Sequence, residues 1–110
     1  MSEADKCKSL YSWVDKTPEP KRTPTLHVIA IVNAPTPCHD PFASYIGDKK
    51  SNPPVYLLEL NYSVHPGVCA EVEIDRELNY TQPNYSGNHG SVEIFFRDGS
   101  SKSVKIESVS

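Results

Sequence analysis

Two stretches of alternating character constrain this chain more than any other feature. Between Pro54 and Thr81 the sequence reads VYLLELNYSV, then HPGV, then CAEVEIDRELNYT. Side chains on an extended strand point alternately to its two faces. Tyr56, Leu58, Leu60, Tyr62 and Val64 therefore share one side, and Glu59, Asn61 and Ser63 share the other. Val55 and Leu57 are apolar exceptions on the polar side. In the second stretch Ala70, Val72, Ile74, Leu78 and Tyr80 share a side that Arg76 interrupts, and Glu71, Glu73, Asp75, Glu77 and Asn79 line the opposite one. One dry face and one wet face is the pattern of an antiparallel sheet. Pro66-Gly67 suits the centre of a type II turn, so the two stretches are expected to form one long hairpin. A slip of one residue would bring the acidic row into the core, which fixes the register.

The rest of the chain extends the all-β expectation. Thr25 to Asn33 contains LHVIAIV, apolar almost throughout, and predicts a strand covered on both faces. Ala34-Pro35-Thr36-Pro37 ends it. Cys38 to Asn52 is the least regular stretch, with Phe42, Tyr45 and Ile46 marking a short strand and Gly47-Asp48 a turn. After the loop Gln82 to Gly90, Val92, Ile94 and Phe96 alternate with Glu93, Phe95 and Arg97. Asp98-Gly99 is a hairpin signal, and Val104 and Ile106 belong to a closing strand. The first and last strands are the expected sheet edges, the latter guarded by Lys102 and Lys105. The spacing predicts a small Ig-like Greek-key antiparallel β-sandwich of about six or seven strands over residues 25–110.

Residues 1–16 read differently. Ser2 suits a helix cap, Asp5 the positive end of a helix dipole, and Cys7, Leu10, Tyr11 and Val14 recur at helical spacing. A short N-terminal helix, or a disordered tail, is expected there. Residues 17–24, TPEPKRTP, carry three prolines in eight residues and predict an extended linker.

The totals exclude several functions. The 110 residues suffice for one domain with a modest core. A net charge of −3 argues against nucleic acid and anionic lipid as partners. No apolar run approaches the roughly 18 residues of a membrane span. The opening MSEADK lacks the apolar segment of a signal peptide. Cys38 and Cys69 are expected to form a disulfide between a loop and a strand start, with Cys7 left over. That bridge points to a secreted or periplasmic setting with the leader already removed; the cytoplasm is the other option.

Cys38, His39, His65 and Cys69 together would offer zinc two sulfurs and two nitrogens, but a disulfide uses both sulfurs, and no metal or cofactor is expected. Blue copper fails because Met1 is the single methionine. No nucleophile elbow and no HExxH occur, so the chain is not expected to be an enzyme. The acidic row Glu71, Glu73, Asp75 and Glu77 is either a solvated face balanced by Arg97 or Lys105 or a docking face for a basic partner. Three Asn-x-Ser/Thr triplets begin at Asn61, Asn79 and Asn84 and matter only in a eukaryotic secretory route.

Recognition is therefore expected in loops at one end of the sandwich: Ala34 to Asp40, His65 to Cys69 and Gln82 to Gly90. The candidate binding residues are Thr36, His39, His65, Asn84, Tyr85, Asn88 and His89. The expected function is a non-catalytic binding or accessory module for a protein partner, itself a monomer or weak dimer. A secreted protease inhibitor acting by loop insertion is the alternative, and a metal-binding periplasmic protein a second. The expected size and architecture are similar to those of chagasin-type cysteine-protease inhibitors. Their Asn-Pro-Thr-Thr-Gly and Arg-Pro-Trp loops have no counterpart here, Ala34-Pro35-Thr36-Pro37 included, so no family is assigned.

Overall fold

A computed structural model describes residues 2–15 and 24–109. Among the described residues the fold is all-β, with seven strands: β1 Ser9–Asp15, β2 Thr25–Ala34, β3 His39–Lys49, β4 Val55–Val64, β5 Ile74–Gln82, β6 Ser91–Phe95 and β7 Ser101–Val109. Their order is β3-β4-β6-β7-β1-β2-β5. β7 joins the two halves, because Ser101–Lys105 pairs with β6 while Ile106–Val109 pairs with β1. The outermost strands, β3 and β5, return against each other, and an Asp40–Arg76 ion pair spans them. The sheet thus curls into a flattened barrel.

Period-two burial runs through it. On β2, Leu26, Val28, Ala30, Val32 and Ala34 are buried while the residues between them are half-buried. This corrects the strand expected to be covered on both faces. Leu58 and Leu60 of β4, Leu78 of β5, and Val92 and Ile94 of β6 complete the core. No helix among the described residues is long and apolar enough to cross a membrane.

The expected central hairpin does not form. β4 pairs with β3 and β6, β5 pairs with β2, and residues 65–73 connect them as a loop. Alternation dictates which face of a strand is dry, but not which neighbour it takes. Two further pairs depart from an antiparallel Greek key: β4/β6 and β1/β7 are parallel. The sheet edges are β3 and β5, whereas the two expected edges are both interior: the strand from Thr25 (β2) lies between β1 and β5, and the last strand (β7) between β6 and β1.

The N-terminal segment is a strand, not a helix. Asp5 N–H donates to Ser2 Oγ at 3.2 Å, so the cap signal produces one turn, after which β1 begins. Leu10 and Val14 satisfy a helical and a strand period equally. Backbone pairing on both sides, with β2 and β7, decides for the strand. The turn docks on the β6–β7 hairpin: Glu3 N–H donates to Asp98 Oδ2 at 2.8 Å, Arg97 N–H to Glu3 Oε2 at 3.1 Å, and Lys102 Nζ to Cys7 O at 2.7 Å. The linker expected over 17–24 lies, except for Pro24, outside the described residues.

Asp98 is a measurable part of this docking. Bonds from the Ser100 hydroxyl, then from the Glu3 and Ser100 backbone N–H groups, hold its carboxyl at about 2, below the usual 3.8. A carboxyl depressed by folding contributes stability that is complete above its unfolded value and lost as pH falls through the folded one. Urea midpoints should therefore fall between about pH 4 and about pH 2. Asp98→Asn, lacking one titrating group, should fall less steeply over that interval; identical slopes would exclude Asp98 from the acid response.

Candidate functional site

Antiparallel pairing of β2 with β5 sets Ala34 opposite Ile74 and Leu26 opposite Gln82. Chain segments 34–39 and 64–74 therefore meet at one end of the barrel, and 82–91 lies at the other. The seven candidate residues split accordingly. Thr36, His39 and His65 come together with the two cysteines; Asn84, Tyr85, Asn88 and His89 do not join them.

At the first end, Cys38 and Cys69 form the disulfide, with Cα atoms 6.1 Å apart. The turn before β3 is tight. Cys38 N–H donates to Thr36 Oγ1 at 3.2 Å and His39 N–H to Thr36 O at 3.1 Å, while Thr36 Oγ1 lies 2.7 Å from His39 Nδ1. The His39 ring meets Tyr62 edge-on at 5.7 Å, and the Arg97 guanidinium covers Tyr62 at 5.3 Å. Asp40 is the hub. One carboxylate oxygen takes His65 Nε2 and the other Arg76 Nη2, and Arg76 Nη1 donates to Pro37 O at 3.1 Å. The His65 bond, then the Arg76 charge, holds the Asp40 carboxyl below its usual range against partial desolvation. Neither Asp40 nor Arg76 was among the sequence candidates. The available signal was Arg76 itself, a charge on the otherwise apolar side of β5.

These contacts brace the base of loop 65–73. Gly67, at φ +128°, takes a backbone conformation that side chains disfavour. Val68 is 105% exposed, as open as in an extended peptide, and Val64 and Val72 flank it at 61% and 53%. Three apolar side chains thus stand in water, Val64 at the end of β4 and Val68 and Val72 on the tethered loop that follows it.

The acidic row is divided. Glu71 and Glu73 belong to the loop, and only Asp75 and Glu77 lie on β5. The row's cationic neighbours are Lys6 with Glu73 at 3.2 Å and Lys8 with Asp75, in place of the expected Arg97 or Lys105. Glu77 accepts from Asn79 Nδ2 at 2.7 Å. The Lys8 bond also holds the Asp75 carboxyl low.

At the second end a polar chain crosses an aromatic cluster. Tyr85 Oη lies 2.6 Å from His89 Nδ1, His89 Nε2 lies 2.8 Å from Asp48 Oδ1, and Tyr45 Oη donates to the same oxygen at 2.7 Å. The bonds from Tyr45, first, and His89 hold the Asp48 carboxyl low. Tyr56 packs among Tyr45, Tyr80, Tyr85 and His89 at ring separations of 4.4–6.1 Å. A Cβ on Gly87 would sit 2.6 Å from the His89 ring, so the loop passes there because the residue has no side chain. Burial raises the Tyr85 phenol, and burial with the Tyr80 bond raises that of Tyr56 further, so both stay protonated at neutral pH. The order Tyr–His–Asp looks like a nucleophile relay. In this structure its bonds tie loop 83–90 to the end of β3.

The remaining thiol, Cys7, is buried, and burial raises it. The disulfide removes the two sulfurs that zinc would need, and among the described residues no three His, Cys, Asp or Glu side chains converge to hold an ion. Known protein families, curated proteins and solved structures show no match to this chain.

Proposed function

We propose that the chain is a non-catalytic β-sandwich-type binding module of an oxidising, extracytoplasmic compartment, and that it holds a protein partner with loop 65–73. A disulfide is maintained in such compartments and reduced in the cytosol. The observation that carries the reading is the trio Val64, Val68 and Val72, exposed on a segment fixed by Cys38–Cys69 and the Asp40 ion pairs. Leaving apolar side chains in water while ordering their backbone costs free energy unless a partner covers them, and a pre-ordered loop binds with less entropy lost.

The test presents immobilised protein to a secreted or periplasmic fraction, beside a Val64→Asp/Val68→Asp/Val72→Asp variant and a Tyr85→Phe variant. A partner retained by the parent and the Tyr85 variant, but lost with the aspartates, supports the loop. A partner captured equally by all three moves the site elsewhere.

The exposure of Val68, directly before the bridged Cys69, favours protease inhibition by loop insertion as a second reading. A small apolar side chain on a convex, cross-linked loop suits a shallow apolar specificity pocket. Inhibition of an elastase-like serine protease that Val68→Asp abolishes would support it; no inhibition of elastase-like, trypsin-like or papain-like enzymes would dismiss it.

A further inference from the structure

We propose that the cleft between β1 and β7 is a binding site for one pyranose ring of a neutral glycan. The cleft follows from the way β7 changes partners. From Ser12 and Ile106 onward the two strands run side by side, but before that point β7 pairs with β6 and β1 stays with β2. Where they part, a cavity of about 290 Å³ opens, lined by Tyr11, Ser12, Trp13, Val104, Lys105 and Glu107. It is independent of loop 65–73 and of the reading built on that loop.

The lining has the chemistry of a sugar site. Trp13 is held flat by stacking on His27, with ring centres 5.0 Å apart and planes 15° from parallel. Tyr11, two residues earlier on the same face, is 64% exposed. The floor needs no polar partner, since buried Ser12 donates its hydroxyl to Lys105 O at 3.2 Å. Glu107 is the register partner of Trp13, and Lys105, two residues before it, pairs with Ser91 of β6. Both charged residues are exposed.

A fixed aromatic plate thus has one strong acceptor and one strong donor beside it. A pyranose matches this arrangement, with C–H groups on its face for the indole and hydroxyls at its rim for the carboxylate and the ammonium. An anionic ligand would meet Glu107 and a cationic one Lys105, so an uncharged polyhydroxyl ring fits best. The volume is near the lower end of small-molecule sites, which favours a single ring.

Trp13 is the chain's one tryptophan, so its emission reports on this site alone. The folded protein would be titrated with chitotriose, cellotriose and maltotriose at millimolar concentrations. A saturable change in emission with at least one trisaccharide is expected. Glu107→Gln should weaken that sugar about tenfold or more, Val68→Asp should leave it unchanged, and Trp13→Ala should abolish binding in ligand-observed NMR while Trp13→Tyr keeps part of it. Glu107 lies at the surface, so its variant remains informative if a Trp13 substitution unfolds the chain. The proposal is overturned if none of the three sugars gives a saturable response, if affinity is the same in Glu107→Gln, or if binding survives Trp13→Ala.

Discussion

Replacing Cys38 and Cys69 with serine should cost more stability than any other change confined to the ends of this barrel. The bridge joins residues 31 apart, and closing a loop of that length restricts the unfolded chain by about 3–4 kcal/mol in the chain-entropy treatment. For a domain of this size that lowers the melting temperature by on the order of 15–25 °C. The loss should also be concentrated. The disulfide joins the residue before β3 to the loop before β5, beside the seam where these edge strands meet, and there the barrel is closed by side chains such as Asp40 and Arg76, not by a backbone ladder. Hydrogen exchange should therefore rise first in residues 34–40 and 64–76, while the amides of β6 stay protected until global unfolding. Thermal melts with and without reductant, beside a Cys7→Ser control, measure the effect. If reductant lowers the parent no more than it lowers the double serine variant, the bridge is not a stabilising element.

The same seam shows what was legible in the sequence. Leu58, Leu60, Leu78, Val92 and Ile94 could all be placed on dry faces, because two-residue periodicity needs only the strand's own residues. Asp98-Gly99 gave the β6–β7 hairpin, because a tight turn is local chemistry. The Cys38–Cys69 bridge is present as expected, but Cys69 lies in loop 65–73 and not at the start of a strand.

What stayed hidden depended on partners far along the chain. β1 carried residues compatible with a helix and became a strand between β2 and β7. β3 looked short because Pro41 and Gly47 interrupt its pattern. It runs for eleven residues because an edge strand tolerates a proline and the bulge between Tyr45 and Gly47 absorbs the irregularity. At the candidate site, Thr36, His39 and His65 were found as loop residues near cysteines. Asp40, at the end of an expected loop, and Asp48, in an expected turn, are not legible as site residues, since a carboxylate there reads as solvated until Arg76 or His89 is known to face it.

Leu58→Ala should lose about 2–5 kcal/mol, a large share of the stability of a domain this small. Leu57→Ala, one position away and the same chemical change, should lose no more than about 1 kcal/mol. The two leucines differ only in the face they take. Leu58 is 0% exposed and lies inside the barrel, opposite the buried Ile94 of β6. Leu57 points outward and is half-buried, beside Glu93 of β6. Removing three carbons at Leu58 leaves a cavity that β4 cannot close, because it is held by ladders on both edges. Removing them at Leu57 exposes a little more surface to water. Urea denaturation of the two variants, with the slope of the transition checked for constancy, separates these cases. A larger cost at Leu57 than at Leu58 would mean that β4 is set one residue out of register, with Tyr56 and Leu60 turned to solvent and Glu59 buried. The Trp13 cleft would then lose its support as well, since β6 holds the first half of β7 in place by pairing with β4.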